Sequence, residues 1–197
     1  MSKPAQAMRG DTRERILMAT WKLMEKSRDL NVRVADIADA AKVSRQAVYL
    51  HFGNRANLLL AAVQHRDKLT AAGTIARAAR DVPVPGALGE YVRAWFEHIP
   101  RIQPIAGLLS AASQTDPEAK AAFEDRMNLL RGFTTVLAER LASARLLKRG
   151  WTVAKASDWI WHRTHLDGWR HLVGERGWDA AEYGHRVTAS LEGDLLK

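Results

Sequence analysis

The stretch Val32–Leu59, VRVADIADAAKVSRQAVYLHFGNRANLL, decides the fold. Val34, Ile37, Ala38 and Ala41 recur at helical spacing and give a short first helix one apolar face. Val43 plugs the turn that follows. Ser44 then suits the N-cap of a second helix, because its hydroxyl oxygen can accept a backbone N–H from the first turn. Ala47, Val48 and Phe52 face inward on that helix, which leaves Arg45, Gln46, Tyr49, Leu50 and His51 to project elsewhere. A helix that presents Arg and Gln in this way fits a DNA major groove, where both side chains can hydrogen-bond base edges.

Charge follows the same division. The 197 residues carry a net charge of +8. Residues 1–66 hold 12 Lys and Arg against 6 Asp and Glu, and the remainder holds 18 against 16. The positive excess therefore sits on the segment with the helix-turn-helix pattern, as the electrostatic footprint of a DNA-binding module requires. Cysteine is absent, which excludes disulfides and thiolate metal sites. The opening residues lack the apolar run of a secretory signal, and no uncharged apolar segment approaches the roughly 20 residues needed to span a bilayer. A soluble, cytoplasmic protein without a membrane partner is expected. Nucleophile elbows, phosphate-binding loops and HExxH are all missing, so no enzyme activity, cofactor or metal is expected.

Working outward, residues 1–10 are polar and read as an unstructured arm. Asp11-x-x-Glu14 offers a capping box for a helix whose inner stripe is Ile16, Ala19, Thr20 and Leu23. Trp21 lies off that stripe. Downstream of the quoted stretch a long helix is expected from Arg55 to about Arg80, ended by Val82-Pro83-Val84-Pro85-Gly86. A helix follows over Ala87–Ile99. Pro100 and Pro104 are expected to interrupt it before a short helix over Ile105–Ser113. Asp116-Pro117 is a strong helix start, with that helix ending near Leu147 and Gly150 as its cap. One helix is expected over Thr152–Val173, and a last one opens on the capping box Asp179-x-x-Glu182. No strand pattern or repeat is visible.

The quoted stretch resembles the DNA-binding domain of the TetR family of transcriptional regulators. Val34, Ile37, Ala38, Ala41, Val43, Ser44, Tyr49, His51, Phe52, Leu58 and Leu59 stand in register with that family's pattern, and Ile16, Leu17, Ala19 and Leu23 fit its first helix. The resemblance spans about Thr12–Val63. Arg33 replaces the family's usual Thr, so a cap is missing there and Asn31 is the substitute. Lys42 replaces the turn Gly, at a cost if its φ is positive. Gln46 replaces a frequent Gly, and Arg55 stands where Lys is usual.

This resemblance implies an all-α protein, with a DNA-binding domain over residues 1–52 and a six-helix effector and dimerisation domain over 53–197. The expected DNA-facing set is Arg33, Ser44, Arg45, Gln46, Ala47, Tyr49, His51 and Arg55. Ser44, Tyr49, His51 and Arg55 are carried over as backbone contacts. Arg45 and Gln46 are placed at base edges and Ala47 at a thymine methyl.

Within the second domain the resemblance implies a pocket for a small molecule. Seven Trp, against four Phe and three Tyr, suit an apolar or aromatic effector. The candidate wall is Trp95, Phe96, Phe123, Met127, Leu130, Trp161, His162, His165 and Trp169. Two stripes on the expected helix 152–173 suggest packing on two sides. The candidate dimer interface is Trp159, Leu166, Gly168, Val173, Tyr183, Val187 and Leu191. Asp158, His162 and His165 share part of a helix face, but a polar patch is a better reading than a metal site. The expected function is a homodimeric repressor that leaves a palindromic operator in double-stranded DNA when an effector binds. The alternative is a helix-turn-helix regulator with no small-molecule effector, whose second domain serves only assembly.

Overall fold

The computed structural model describes residues 3–70 and 72–197. The protein is all-α. Its helices are α1 (Lys3–Ser27), α2 (Val34–Ala41), α3 (Arg45–Phe52), α4 (Arg55–Thr70), α5 (Ala72–Arg80), α6 (Ala87–Ala112), α7 (Pro117–Ser143), α8 (Val153–Arg163), α9 (Leu166–Trp169) and α10 (Ala180–Leu195). A π-helical run, Arg170–Glu175, continues α9.

The helices form two compact units that do not follow the chain in simple halves. One comprises residues 1–69 and 104–125, the other 70–103 and 126–197. Helices α6 and α7 each give one segment to each unit. Packing thus divides the chain at positions other than the boundary expected at residue 52.

In the first unit the helix-turn-helix forms as its chemistry dictates. Ile37, Ala38 and Ala41 of α2 and Val48 and Phe52 of α3 are buried with Ile16, Leu17, Trp21 and Met24 of α1. The buried face of α1 includes Trp21, which joins this core under the Arg66 guanidinium, 5.3 Å from its ring centroid. Lys42 closes α2 with φ 55° and ψ 49°, and the Val43 N–H reaches back to the Ala38 carbonyl at 2.9 Å. The turn therefore requires a left-handed residue, and a lysine fills it at a cost of about 1 kcal/mol. No side chain caps α2: the Asn31 Oδ1 accepts instead from Arg55, 3.0 Å away.

Three boundaries differ from the sequence reading. Helix α1 begins at Lys3, so residues 3–10 are helical where an unstructured arm was expected, and Asp11 lies inside the helix. Pro4 sits in the first turn, where its missing N–H costs nothing, and Ala5, Gln6, Ala7 and Met8 are good helix formers. Residues 1 and 2 of that arm lie outside the described residues. Helix α6 runs unbroken through Pro100 and Pro104. Each proline removes one bond to the carbonyl four residues back, but Ile99, Ile105 and Leu109 are buried along the same helix and hold it. Helix α7 ends at Ser143, with Arg145 rather than Gly150 as the first left-handed residue after it.

The second unit has its own core. Leu88, Tyr91, Val92, Trp95, Phe96 and Ile99 of α6 pack with Leu137 and Leu141 of α7, Ile160 of α8, and Val187, Leu191 and Leu195 of α10. Here the expected single helix over 152–173 is broken. Thr152 caps α8 through the Lys155 N–H at 3.2 Å, and the helix stops at Thr164. The Thr164 carbonyl accepts the Trp95 indole N–H at 2.6 Å, and the Thr164 hydroxyl donates to the Ile160 carbonyl at 2.8 Å. Tyr91 is buried, which pushes its phenol pKa up, with the Thr164 side chain opposing the shift. The Thr164 carbonyl is turned to α6, the Gly168 N–H bonds the His165 carbonyl at 3.2 Å instead, and His165 starts α9 by accepting from the Asp167 N–H at 3.4 Å. The two stripes read across 152–173 assumed one helical phase, which this break resets. No helix among the described residues is long and apolar enough to cross a membrane.

Candidate nucleic-acid interface and ligand groove

Helix α3 turns Val48 and Phe52 inward and leaves Arg45, Gln46, Tyr49 and Leu50 exposed. Ser44 sets its start, its Oγ accepting the Ala47 N–H at 3.1 Å. Ala47 and His51 are half-buried, and the His51 ring lies 6.1 Å from that of Phe52. Arg13 lies over the other core-facing ring, 5.2 Å from the Phe52 centroid. Arg45 and Gln46 thus stand open on the first turn of the helix, the turn that reaches base edges in such motifs. Leu50 is 80% exposed, the barest large apolar side chain of the described residues. The sequence pattern left it projecting, yet gave it no role. An exposed leucine beside Arg and Gln is an apolar group of the kind that can meet a thymine methyl.

Two expected contacts are otherwise engaged. Arg33 is exposed but forks onto Asp36, with Nε at 2.9 Å and Nη2 at 3.1 Å. Arg55 is not a free cation at a helix start. Its Nη1 lies 2.6 Å from Glu118 and 3.5 Å from Asp116, and its Nη2 donates to the Leu30 carbonyl at 3.2 Å and to Asn31. Asp116 also caps α7, accepting from the Glu118 N–H at 2.8 Å. Burial would raise its carboxyl pKa. The backbone N–H groups of Glu118 and Ala119 and the Arg55 charge outweigh that and hold it below the usual carboxylate value. Arg55 therefore ties the loop before α2 and the start of α4 to the start of α7. The residue expected at a phosphate is thus engaged in an internal network in this structure.

In the second unit a groove of about 470 Å³ opens beside the α8–α9 break. Trp161, His162, Arg163 and His165 line it from one side, and Asp167, Gly168 and Leu172 follow. Tyr183 and Val187 close it from α10. Three of the candidate effector residues, Trp161, His162 and His165, thus meet in it. Trp95, Phe96 and Trp169 are instead buried in the core of this unit. Phe123 packs in the first unit, and Met127 and Leu130 are half-buried on α7 away from the groove lining.

The groove is electrostatically mixed. Arg131 covers Trp161, 4.5 Å from its ring centroid, while pairing with Asp158 at 3.0 Å. Asp158 is thereby drawn to Arg131, and no group of three His, Cys, Asp or Glu among the described residues could hold a metal ion. Burial lowers the His165 pKa, against the opposing charge of Asp167. Burial raises the Tyr183 phenol, against the nearby Arg163 charge.

The candidate dimer residues are largely used within the protomer. Tyr183, Val187 and Leu191 are buried in its own core. Gly168 is required there too, since a Cβ at that position would meet the Tyr183 hydroxyl at 2.7 Å. Trp159 donates its indole N–H to Asp194 at 3.0 Å, and Leu166 and Val173 are half-buried against the core. The face of α10 left open carries Glu182, His185, Arg186, Ala189 and Glu192. The apolar stripe of α10 thus packs inward within the chain.

Residues 16–62 match the family model of the bacterial regulatory proteins, tetR family. Among solved structures the chain is similar to the SmeT–triclosan complex, with TM-score 0.74, 18% identity and coverage of 94% of this chain and 92% of that one. It is similar to FadR of Bacillus halodurans, a fatty acid degradation regulator, with TM-score 0.70, 15% identity and coverage of 91% and 93%. It is also similar to NalD of Pseudomonas aeruginosa, the secondary repressor of the MexAB-OprM multidrug efflux pump, with TM-score 0.68, 20% identity and coverage of 94% and 96%. At these identities the likeness is one of fold. No curated protein matches the chain in sequence.

Proposed function

We propose, from the match of residues 16–62 to the family model of the bacterial regulatory proteins, tetR family, that the protein is a ligand-responsive transcriptional repressor without enzyme activity. The observation that carries this reading is α3 itself. Its apolar residues Val48 and Phe52 are spent on the core, while Arg45, Gln46, Tyr49 and Leu50 stand open on a segment of net positive charge. Such a helix gains nothing from its exposed face in isolation and much from a major groove.

The protein acts as a homodimer on a palindromic operator, so that two α3 helices enter major grooves roughly 34–36 Å apart, about one DNA turn. Arg45 and Gln46 read base edges, and Leu50 and Ala47 meet thymine methyls. Ser44, Tyr49 and His51 face the sugar-phosphate backbone and fix register. A small molecule in the second unit releases the operator by binding better to a form with lower DNA affinity, and the coupling is reciprocal. Support comes from SmeT, a structure of similar fold that holds triclosan.

The test is a footprint of the full-length protein on duplexes enriched from a random library, repeated with saturating small molecules drawn from the groove's chemistry. A two-fold protected site that is lost with ligand supports the reading. A two-fold site that no small molecule alters supports instead a regulator whose second unit serves assembly only. That second reading has one observation of its own, the burial of Trp95, Phe96 and Trp169 in the core.

A further inference from the structure

The α8–α9 groove holds a guanidinium whose charge the protein does not answer. Arg163 is half-buried, and its one hydrogen bond among the described residues runs from Nη2 to the Ser190 hydroxyl at 3.0 Å. Its Nε is buried with no acceptor, and no carboxylate among the described residues pairs with it. Its other neighbour is a ring, with the Trp159 centroid 5.8 Å away. Two other partly buried arginines are answered: Arg55 by Glu118 and Asp116, and Arg140 by the carbonyls of Ala79 and Val82. The one carboxylate lining the groove, Asp167, is taken up by His165 at 3.3 Å and Arg170 at 3.4 Å. Removing a guanidinium from water without an anion is unfavourable, so a ligand that brings one gains free energy that a neutral ligand does not.

The remaining walls state the rest of the chemistry. Trp161, Leu172 and Val187 are apolar, and Tyr183 adds a hydroxyl that Gly168 leaves room for. A volume of about 470 Å³ lies within the range of small-molecule sites. We propose that this groove binds a small apolar acid, its carboxylate on Arg163 and Tyr183 and its aromatic or aliphatic body against Trp161, Leu172 and Val187.

This assignment rests on the groove being the ligand site of the repressor, and the test separates the two. Full-length protein is titrated by calorimetry with 2-naphthoate and decanoate, and with 2-naphthamide and decanamide as neutral partners of the same shape. The acids are expected to bind at least tenfold more tightly than their amides. In Arg163→Gln that preference is expected to vanish while the amides bind as before. Arg163→Lys is expected to restore part of it, since charge returns without the planar fork. Ser190→Ala controls for a purely structural role: it severs the link between Arg163 and α10 but is expected to keep the acid preference. Equal affinity for acid and amide in the wild type would overturn the acid assignment and leave the groove as a ligand site. No binding of any of the four would overturn both the assignment and the groove's role. An acid preference that survives Arg163→Gln would place the carboxylate elsewhere and overturn the proposal.

Discussion

The α2–α3 pair and the α8–α9 segment make an instructive contrast. Both are helices joined by a sharp change of direction, and both carry residues offered to a ligand. In α2–α3 every device that fixes the geometry lies within a few residues: the left-handed Lys42, the Val43 N–H on Ala38, and Ser44 on Ala47. In α8–α9 the break at Thr164 is fixed by a residue some seventy positions earlier, Trp95 of α6. The first region is written locally. The second is decided by a tertiary hydrogen bond to a backbone carbonyl that helical periodicity would have assigned to the ladder.

The largest expected effect challenges the local half of this contrast. Arg55→Ala removes charge-assisted bonds to Glu118, Asp116 and Asn31 and leaves the Leu30 carbonyl without its donor. It is expected to cost about 3 kcal/mol of stability. The salt dependence of DNA binding should not change, and denaturant unfolding beside a salt titration checks both. A slope lower by one unit with unaltered stability would make Arg55 a phosphate contact after all.

Next, Trp95→Phe deletes the indole N–H that holds the Thr164 carbonyl and shrinks a buried ring. Stability is expected to fall by about 2 kcal/mol, with faster amide hydrogen exchange over residues 164–168. Unchanged exchange there would mean that the α8–α9 break is local too, and the contrast would fail.

Arg45→Ala is expected to cost about 1.5 kcal/mol at one base pair and little on random DNA. Leu50→Ala should weaken binding only where thymine is preferred, and it should mimic replacement of that thymine by uracil. Competition binding with single-substituted duplexes reads both effects. The smallest effect is Lys42→Gly, expected to stabilise the protein by about 1 kcal/mol because glycine holds φ 55° without a Cβ penalty. A thermal melt settles it.

How far the sequence could be read follows the same line. The helix-turn-helix, its caps and its inward residues were legible because Ser44, Val48 and Phe52 act through neighbours. The same holds for the Asp116 and Asp179 caps, which accept from the Glu118 and Glu182 N–H groups. The fate of Arg55 was not legible, because Asp116 and Glu118 lie more than sixty residues away and nothing in a single sequence pairs them. Nor was the groove. Trp95, Phe96 and Trp169 looked as suitable as Trp161, and only packing shows which aromatics the core consumes. Arg163 was overlooked for the opposite reason: an arginine near a helix end reads as a solvated charge, and its want of an acceptor exists only in three dimensions. The continuity of α6 through Pro100 and Pro104 belongs here as well, since burial of Ile99, Ile105 and Leu109 overrides the local cost.

The most direct test of the whole account is the affinity of the full-length protein for the DNA upstream of its own gene, against a scrambled duplex, over a salt series. The account predicts tight binding to the first with a two-fold footprint, and a preference over the scrambled duplex that Arg45→Ala and Leu50→Ala each reduce. Equal, weak and equally salt-sensitive binding to both, unaffected by either substitution, would contradict it.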